Sequence, residues 1–182
     1  GGLQRRTAGF SQGDRRAQFE IYKLYSKAMF NICYRILNHQ GEAEDVLQEA
    51  FVDAFAKIGM YRQEAAFGAW LKQIVVNKAI NQLRSRKIQW VDVDDTRRTI
   101  ETTSFADYVT DLEEGTSDYR VDVIVKGVEQ LPEGYRVVLS LYLFEGYDHE
   151  EIASILGISE STSRTQYMRG KQKLMLWMKG KF

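Results

Sequence analysis

Residues 150–166 read EEIASILGISESTSRTQ, and the reading of this stretch decides the fold. An amphipathic helical pattern stops at Gly157, turns through Ile158 and restarts behind a run of Ser and Thr. The interruption fits a helix-turn-helix. Ile152, Leu156 and Ile158 pack inward, Ala153 lets the second helix cross closely, and Gly157 can take the positive φ of a tight turn. Ser159 is placed as an N-cap for the helix that follows, STSRTQYMRGKQKLMLW. Its first turns present Ser161, Thr162, Arg164 and Thr165, and its later turns carry Met168, Arg169, Lys171 and Lys173. Short hydroxyls allow close approach to a major groove, Arg can bond guanine edges, and a basic flank can hold phosphates. DNA is the expected ligand, although an ordinary helical hairpin with a basic, solubilising face fits the same residues.

Outward from this motif, the 182 residues are 44% apolar, enough to bury a core in one domain or two small ones. A single proline, Pro132, and abundant Ala, Leu, Lys, Glu and Gln predict an all-α protein. No apolar run approaches the roughly 18 residues that suggest a bilayer span, and no signal-peptide pattern opens the chain, which predicts a cytoplasmic protein. Gly1 and Gly2 read as a cloning remnant and are set aside. Cys33 has no second cysteine to pair with and reads as a buried core thiol. His39 and His149 lie too far apart in sequence to suggest a metal site and read as solvated turn residues.

The net charge of zero hides a partition. Residues 1–89 hold 14 Lys/Arg against 8 Asp/Glu, a net of +6, and residues 161–182 hold 6 against none. Residues 90–121 hold 3 against 9 and residues 122–160 hold 2 against 8, each a net of −6. Because salt screens charges beyond a Debye length of about 8 Å, local blocks govern contact, and two basic surfaces remain available to an anion.

The chain divides into three. From about residue 14 to 38 a helix is predicted with an apolar face of Phe19, Tyr22, Leu24, Tyr25, Ala28, Met29, Ile32, Cys33 and Ile36. A second helix runs to about Ile58, with Glu42, Glu44 and Asp45 in its first turn, where negative charge suits the dipole. Along it Asp45, Glu49 and Asp53 form an acidic stripe with Gln48 and Val52 beside it, either a protein-docking face or a solvated surface. The loop GMYRQEAAF leads to a long helix from about Ala66 to Lys87, in which Phe67, Trp70, Leu71, Ile74 and Leu83 face the other helices. Tyr61, Phe67 and Trp70 alongside Arg62, Lys72, Lys78, Arg84 and Arg86 pair aromatic faces with cations, the chemistry that holds a single nucleic-acid strand; taken individually, Phe67 and Trp70 fit core packing better. Residues 89–120 lose periodicity and turn acidic, a flexible linker with one short helix, either a solvated tether or a functional insert. The second domain, about 121–180, has Pro132 where a helix can begin and ends in the helix-turn-helix. No nucleophile and base, metal set or phosphate-cradling loop stands out, so an enzyme is not expected and no cofactor is implied.

These blocks resemble the extracytoplasmic-function sigma factors of bacterial RNA polymerase. GEAEDVLQEAFVDAFAKI is similar to their region 2.2, FGAWLKQIVVNKAINQLRSRK to regions 2.3 and 2.4, and LPEGYRVVLSLYLFEGYDHEEIASILGISESTSRTQYMRGKQKL to region 4. The resemblance covers most of residues 10–178, in the right order, and fits the minimal two-domain class. It implies that residues 10–88 dock on core polymerase through Asp45, Gln48, Glu49, Val52 and Asp53. It implies that the Met60–Ala66 loop captures a flipped base of the −10 element, with Tyr61, Arg62, Phe67, Trp70, Gln73, Asn77, Lys78 and Arg84 as the contact set. Residues 121–180 would read the −35 element through Ser161, Thr162, Arg164, Thr165 and Met168, with Arg169 and Lys171 on phosphates. The acidic linker would thread polymerase channels, and an anti-sigma factor is an implied partner. The chain departs from the family's pattern at Ser163, usually apolar, at Gln166, often Arg, and at Gly170, commonly Ala. A stand-alone helix-turn-helix regulator and a helical protein adaptor are the alternatives that the residues alone leave open.

Overall fold

The structure is a computed structural model that describes residues 15–62, 66–90 and 118–180, with only the backbone for 118–120. The expected domain residues 10–14, residues 63–65 of the base-capture loop and most of the linker lie outside the described residues. The described chain is all-α and divides into two compact units, the boundary falling between Arg86 and Lys87.

In the first unit, α1 spans Arg15–Leu37, α2 Gln40–Ala56 and α3 Phe67–Leu83, with a 3-10 turn at Ile58–Met60. Apolar residues recur at three- and four-residue steps: Met29, Ile32, Cys33 and Ile36 on α1; Ala43, Val46, Leu47, Ala50 and Ala54 on α2; Leu71, Val75, Val76, Ala79 and Leu83 on α3. All of these are buried. The alanines on α2 and Ala79 let the helix axes approach, and each fully buried Leu or Val contributes roughly 1.5–3 kcal/mol over leaving it exposed. The expected face of α1 is too wide. Phe19 is 62% exposed, and Tyr22, Leu24 and Ala28 are also exposed, whereas Ile21, absent from that set, is buried. At 1.5 Å per residue α1 is about 34 Å long and its two partners about 25 Å, so they cannot cover all of it.

Polar pins close this unit. Asn38 ends α1 at φ +50°, a left-handed conformation that Asn tolerates, and the His39 ring accepts from the Glu42 amide as the N-cap of α2. The helical path of α3 stops at Leu83, short of Lys87, and the chain turns back through Arg86. Arg86 donates to the Leu37 carbonyl at 2.7 Å, satisfying an orphan acceptor at the end of α1, and pairs with the Glu42 carboxylate, which also accepts from Gln82. Arg86, grouped by its charge with strand-holding cations, is thus engaged inside its own unit.

In the second unit, α4 spans Asp118–Glu129, α5 Glu133–Leu139, α6 His149–Leu156 and α7 Glu160–Lys179. Pro132 is the N-cap of α5. The helix continues past Leu139 as a π turn, Ser140–Phe144, in which the Glu145 amide reaches the Ser140 carbonyl. Asp148 and Glu151 form a reciprocal capping box at the start of α6. Gly157 takes φ +69°, and the Ser159 hydroxyl accepts from the Thr162 amide, as the sequence implies for a helix-turn-helix. Ile152 and Ala153 are buried, but Leu156 and Ile158 only half so, because the eight-residue α6 leaves its last turn at the rim. At Gly170 α7 crosses α5 so closely that a Cβ would stand 2.5 Å from Leu139 Cδ1 and 3.0 Å from Tyr135 Cβ.

Two outcomes follow from these contacts. Gly170→Val overpacks the α5–α7 crossing and should destabilise the second unit by about 2 kcal/mol; hydrogen exchange should quicken across α5 and α7 but not across α1–α3, and unchanged protection would refute the crossing. Burial raises the Glu42 pKa, but the Arg86 bond and charge, helped by Gln82 and His39, outweigh it and hold the carboxyl below its ordinary 4.5. Its contribution is therefore complete above pH 4.5 and lost as pH falls through the depressed folded value. Acid titration of unfolding should show a shallower loss in Glu42→Gln than in wild type below pH 4.5.

Candidate functional site

The outer face of α2 carries the acidic stripe because Ala43, Val46, Leu47, Ala50 and Ala54 occupy the opposite side. Asp45, Gln48 and Glu49 are exposed, Val52 is 70% exposed, and Asp53 is half-buried with its carboxylate 3.0 Å from Lys57 Nζ. Together with Ala56 and Lys78 they line an open groove of about 550 Å³. Lys78 therefore sits with the acidic stripe and not with Trp70, Gln73 and Asn77 on α3. One residue beyond Asn77 is about 100° around a helix, which carries its side chain to the neighbouring face. Carboxylates ranged around an exposed apolar side chain suit a partner helix that presents cations beside an apolar residue.

Tyr61, Phe67 and Trp70 do come together. Tyr61 meets Phe67 edge-on at 5.5 Å and Trp70 at 5.3 Å, and Phe67 and Trp70 lie 5.7 Å apart. Phe67 is only 3% exposed and is held from the other side by Tyr25, so it supports the cluster from the core and offers no face to a base. Burial, with Tyr61 beside it, pushes the Tyr25 phenol above its ordinary range and keeps it neutral. Tyr61 and Trp70 are half-buried; Arg62, Gln73, Asn77 and Arg84 are exposed. Trp70, Gln73, Asn77 and Arg84 follow one line along α3, and Arg84 also donates to Asn81.

On α7 the exposed line is Ser161, Arg164 and Met168, with Thr162 and Arg169 half-buried beside it. The Thr162 hydroxyl lies 2.8 Å from that of Ser159, and the Arg164 side chain, 59% exposed, pairs with Glu160 one turn back. Two expected contacts are overturned. Thr165 is 7% exposed and its hydroxyl donates to the Ser161 carbonyl. Lys171 is 6% exposed with its ammonium 4.4 Å over the Tyr167 ring. Lys171 belongs to the packed side of α7, which runs through Ser163, Tyr167, Gly170, Leu174 and Met178, whereas Thr165, about 200° around the helix from Ser163, is buried beside the outward line. That line of three- and four-residue steps is readable in the sequence, but the polar identities of Ser163 and Lys171 hide it, and no spacing marks Thr165 as buried.

His149 also differs from its expected place in a solvated turn. Its ring stacks on Tyr142 at 4.9 Å, meets Tyr167 edge-on at 5.4 Å, and has Nδ1 2.8 Å from the Ser163 hydroxyl. Burial first, then the Arg164 charge and to a smaller degree Lys171, lower its pKa below the ordinary 6.5 against the opposing pull of Asp148 and Glu160. The imidazole is therefore neutral at pH 7. Among the described residues no helix is long and apolar enough to cross a membrane, and no cluster of His, Cys, Asp and Glu is arranged to hold a metal.

Against known proteins, residues 21–88 match Sigma-70 region 2 and residues 122–174 match Sigma-70, region 4. The RNA polymerase sigma-H factor of Pseudomonas aeruginosa is 30% identical over 167 residues, covering 90% of this chain and 86% of that one. The ECF RNA polymerase sigma factor SigW of Bacillus subtilis is 28% identical over 176 residues, 94% of each chain. Among solved structures, CnrH in complex with the cytosolic domain of CnrY has a TM-score of 0.52 at 21% identity, covering 96% of each chain. The sigma factor RpoE in complex with the anti-sigma factor NepR from Bartonella quintana has a TM-score of 0.52 at 19% identity, covering 88% of this chain and 95% of that one. The two structures share the fold, and the sequence matches fall on both units in the family's order: the chain belongs to the extracytoplasmic-function sigma factors of the sigma-70 family.

Proposed function

We propose that the two units divide the work of a promoter-directing sigma factor, residues 10–88 docking on core RNA polymerase and engaging the −10 element, residues 121–180 reading the −35 element, and residues 89–120 tethering them. The observation that carries this reading is the match to both sigma regions on units that each expose a surface suited to its task. As a sigma factor the protein is an initiation factor and not an enzyme. Asp45, Gln48, Glu49, Val52 and Asp53 form the polymerase-docking face, and Lys78 borders it. Tyr61 and Trp70 supply the aromatic faces against which an unstacked base rests, with Arg62, Gln73, Asn77 and Arg84 along the adjoining backbone. Flipping a base costs a few kcal/mol, which binding energy offsets. Ser161, Thr162, Arg164 and Met168 face base edges, and Arg169 holds phosphate; Thr165 and Lys171 act only by shaping the helix that presents them.

Linking the units raises the effective concentration of the second contact once the first has formed. The protein works in the cytoplasm, where polymerase and promoters are. A relative in fold is held by an anti-sigma factor, which supports the same control here, with the acidic groove as the surface to be covered.

Asp45→Arg combined with Gln48→Ala should weaken association with core polymerase at least tenfold while circular dichroism stays that of wild type; undiminished association would remove the docking face. Arg164→Ala should lower affinity for a −35 duplex by about 1–3 kcal/mol and relax preference at one base position. By contrast, Arg169→Ala should weaken all sequences alike and reduce the salt slope by about one. Titrations of each variant against matched and mismatched duplexes at several salt concentrations separate the two.

A further inference from the structure

We propose that His149 is a positioning residue for promoter recognition: through the Ser163 hydroxyl it fixes the rotation at which α7 presents Ser161, Arg164 and Met168 to the major groove. This rests on the reading of α7 as the −35 recognition helix.

Ser163 is fully buried in the second turn of α7, between the exposed Ser161 and Arg164. Its hydroxyl is 2.8 Å from Nδ1 of His149, the first residue of α6. The imidazole cannot easily follow a moving serine, because Tyr142 from the π turn stacks on one side at 24° and Tyr167 meets it edge-on at 69°. The π turn thus contributes one wall of the ring's seat. The charged groups around the ring are Asp148 on its own element and Glu160, Arg164 and Lys171 on α7; the π turn brings only Tyr142. A neutral ring carries one N–H and one bare nitrogen, so Nδ1 either accepts from Ser163 or donates to it.

The bond matters because it adds a direction to the apolar packing of α7 against α6. The buried residues of α6 are Ile152 and Ala153, and apolar contact is indifferent to small rotations. A hydrogen bond is not, since it weakens steeply off its axis. Turning α7 by about 20° moves a side-chain atom about 5–6 Å from the axis by about 2 Å. That displacement separates Arg164 from any base edge it would bond.

The experiment uses the full chain bound to core polymerase and a duplex selected from a random pool by that wild-type holoenzyme, with a second duplex scrambled at the −35 positions. His149→Phe keeps an aromatic ring but leaves the serine without its partner, and Ser163→Val leaves the imidazole without its own. Each should lower discrimination between the two duplexes tenfold or more. The double variant, which lacks the same single bond, should lose no more discrimination than either single variant. A purely structural role would reduce binding to both duplexes together and leave their ratio intact. Unchanged discrimination in the single variants, or a double variant that merely multiplies the two losses, overturns the proposal. Should hydrogen exchange show that the single variants unfold the second unit, nitrogen-15 imidazole spectra of the wild type decide. One dominant His149 tautomer is expected at pH 7, and two interconverting ones refute the pin. Failure of the wild-type holoenzyme to select any duplex would instead refute the sigma-factor reading of α7.

Discussion

Helix α7 must bury one side to hold its unit together, and that requirement fixes what the other side can offer. Ser163, Tyr167, Gly170, Leu174 and Met178 turn inward, and Gly170 lets α7 cross close over α5. Ser161, Arg164 and Met168 are consequently the outward line. In a unit this small, core packing and the proposed base reading would share one helix and one degree of freedom. The half-buried His149 and the π turn that seats it lie where the two demands meet.

The first unit solves a similar problem by dividing faces between helices. On α2 three alanines let neighbours approach on one side, and the carboxylates are displaced to the other. On α3 the line from Trp70 to Arg84 is turned away from the groove that Lys78 borders. Charge is distributed accordingly. Some of it is consumed in pins, such as Arg86 with Glu42 or Lys57 with Asp53, and only the remainder can meet a partner. A zero net charge says nothing about either share.

The architecture was legible in the sequence because its punctuation is local. Gly157, Ser159 and Pro132 act through their own backbone and caps, and the acidic stripe is spaced by the helix itself. What escaped were residues whose chemistry and position disagree. Thr165 and Lys171 are polar yet packed, and Lys78 is basic yet faces the acidic side, whereas the sequence already leaves Phe67 open to a core reading. For Lys171 and Lys78 residue type points one way and the place on the helical wheel the other, whereas the wheel sets Thr165 beside the exposed Ser161 and Met168, so its burial is not legible in the spacing. His149 and Arg86 escaped for another reason: their partners, Ser163 and Leu37, lie 14 and 49 residues away, and only the folded chain brings them together.

Arg86 stands at the last residue of the first unit, bonded at once to the end of α1 and to the start of α2. Tension arriving along the backbone from Lys87 onward is therefore shared among three helices and does not unravel the final turn of α3 alone. The arginine works as a strain relief, letting the chain beyond it be tugged while the bundle behind it keeps its shape.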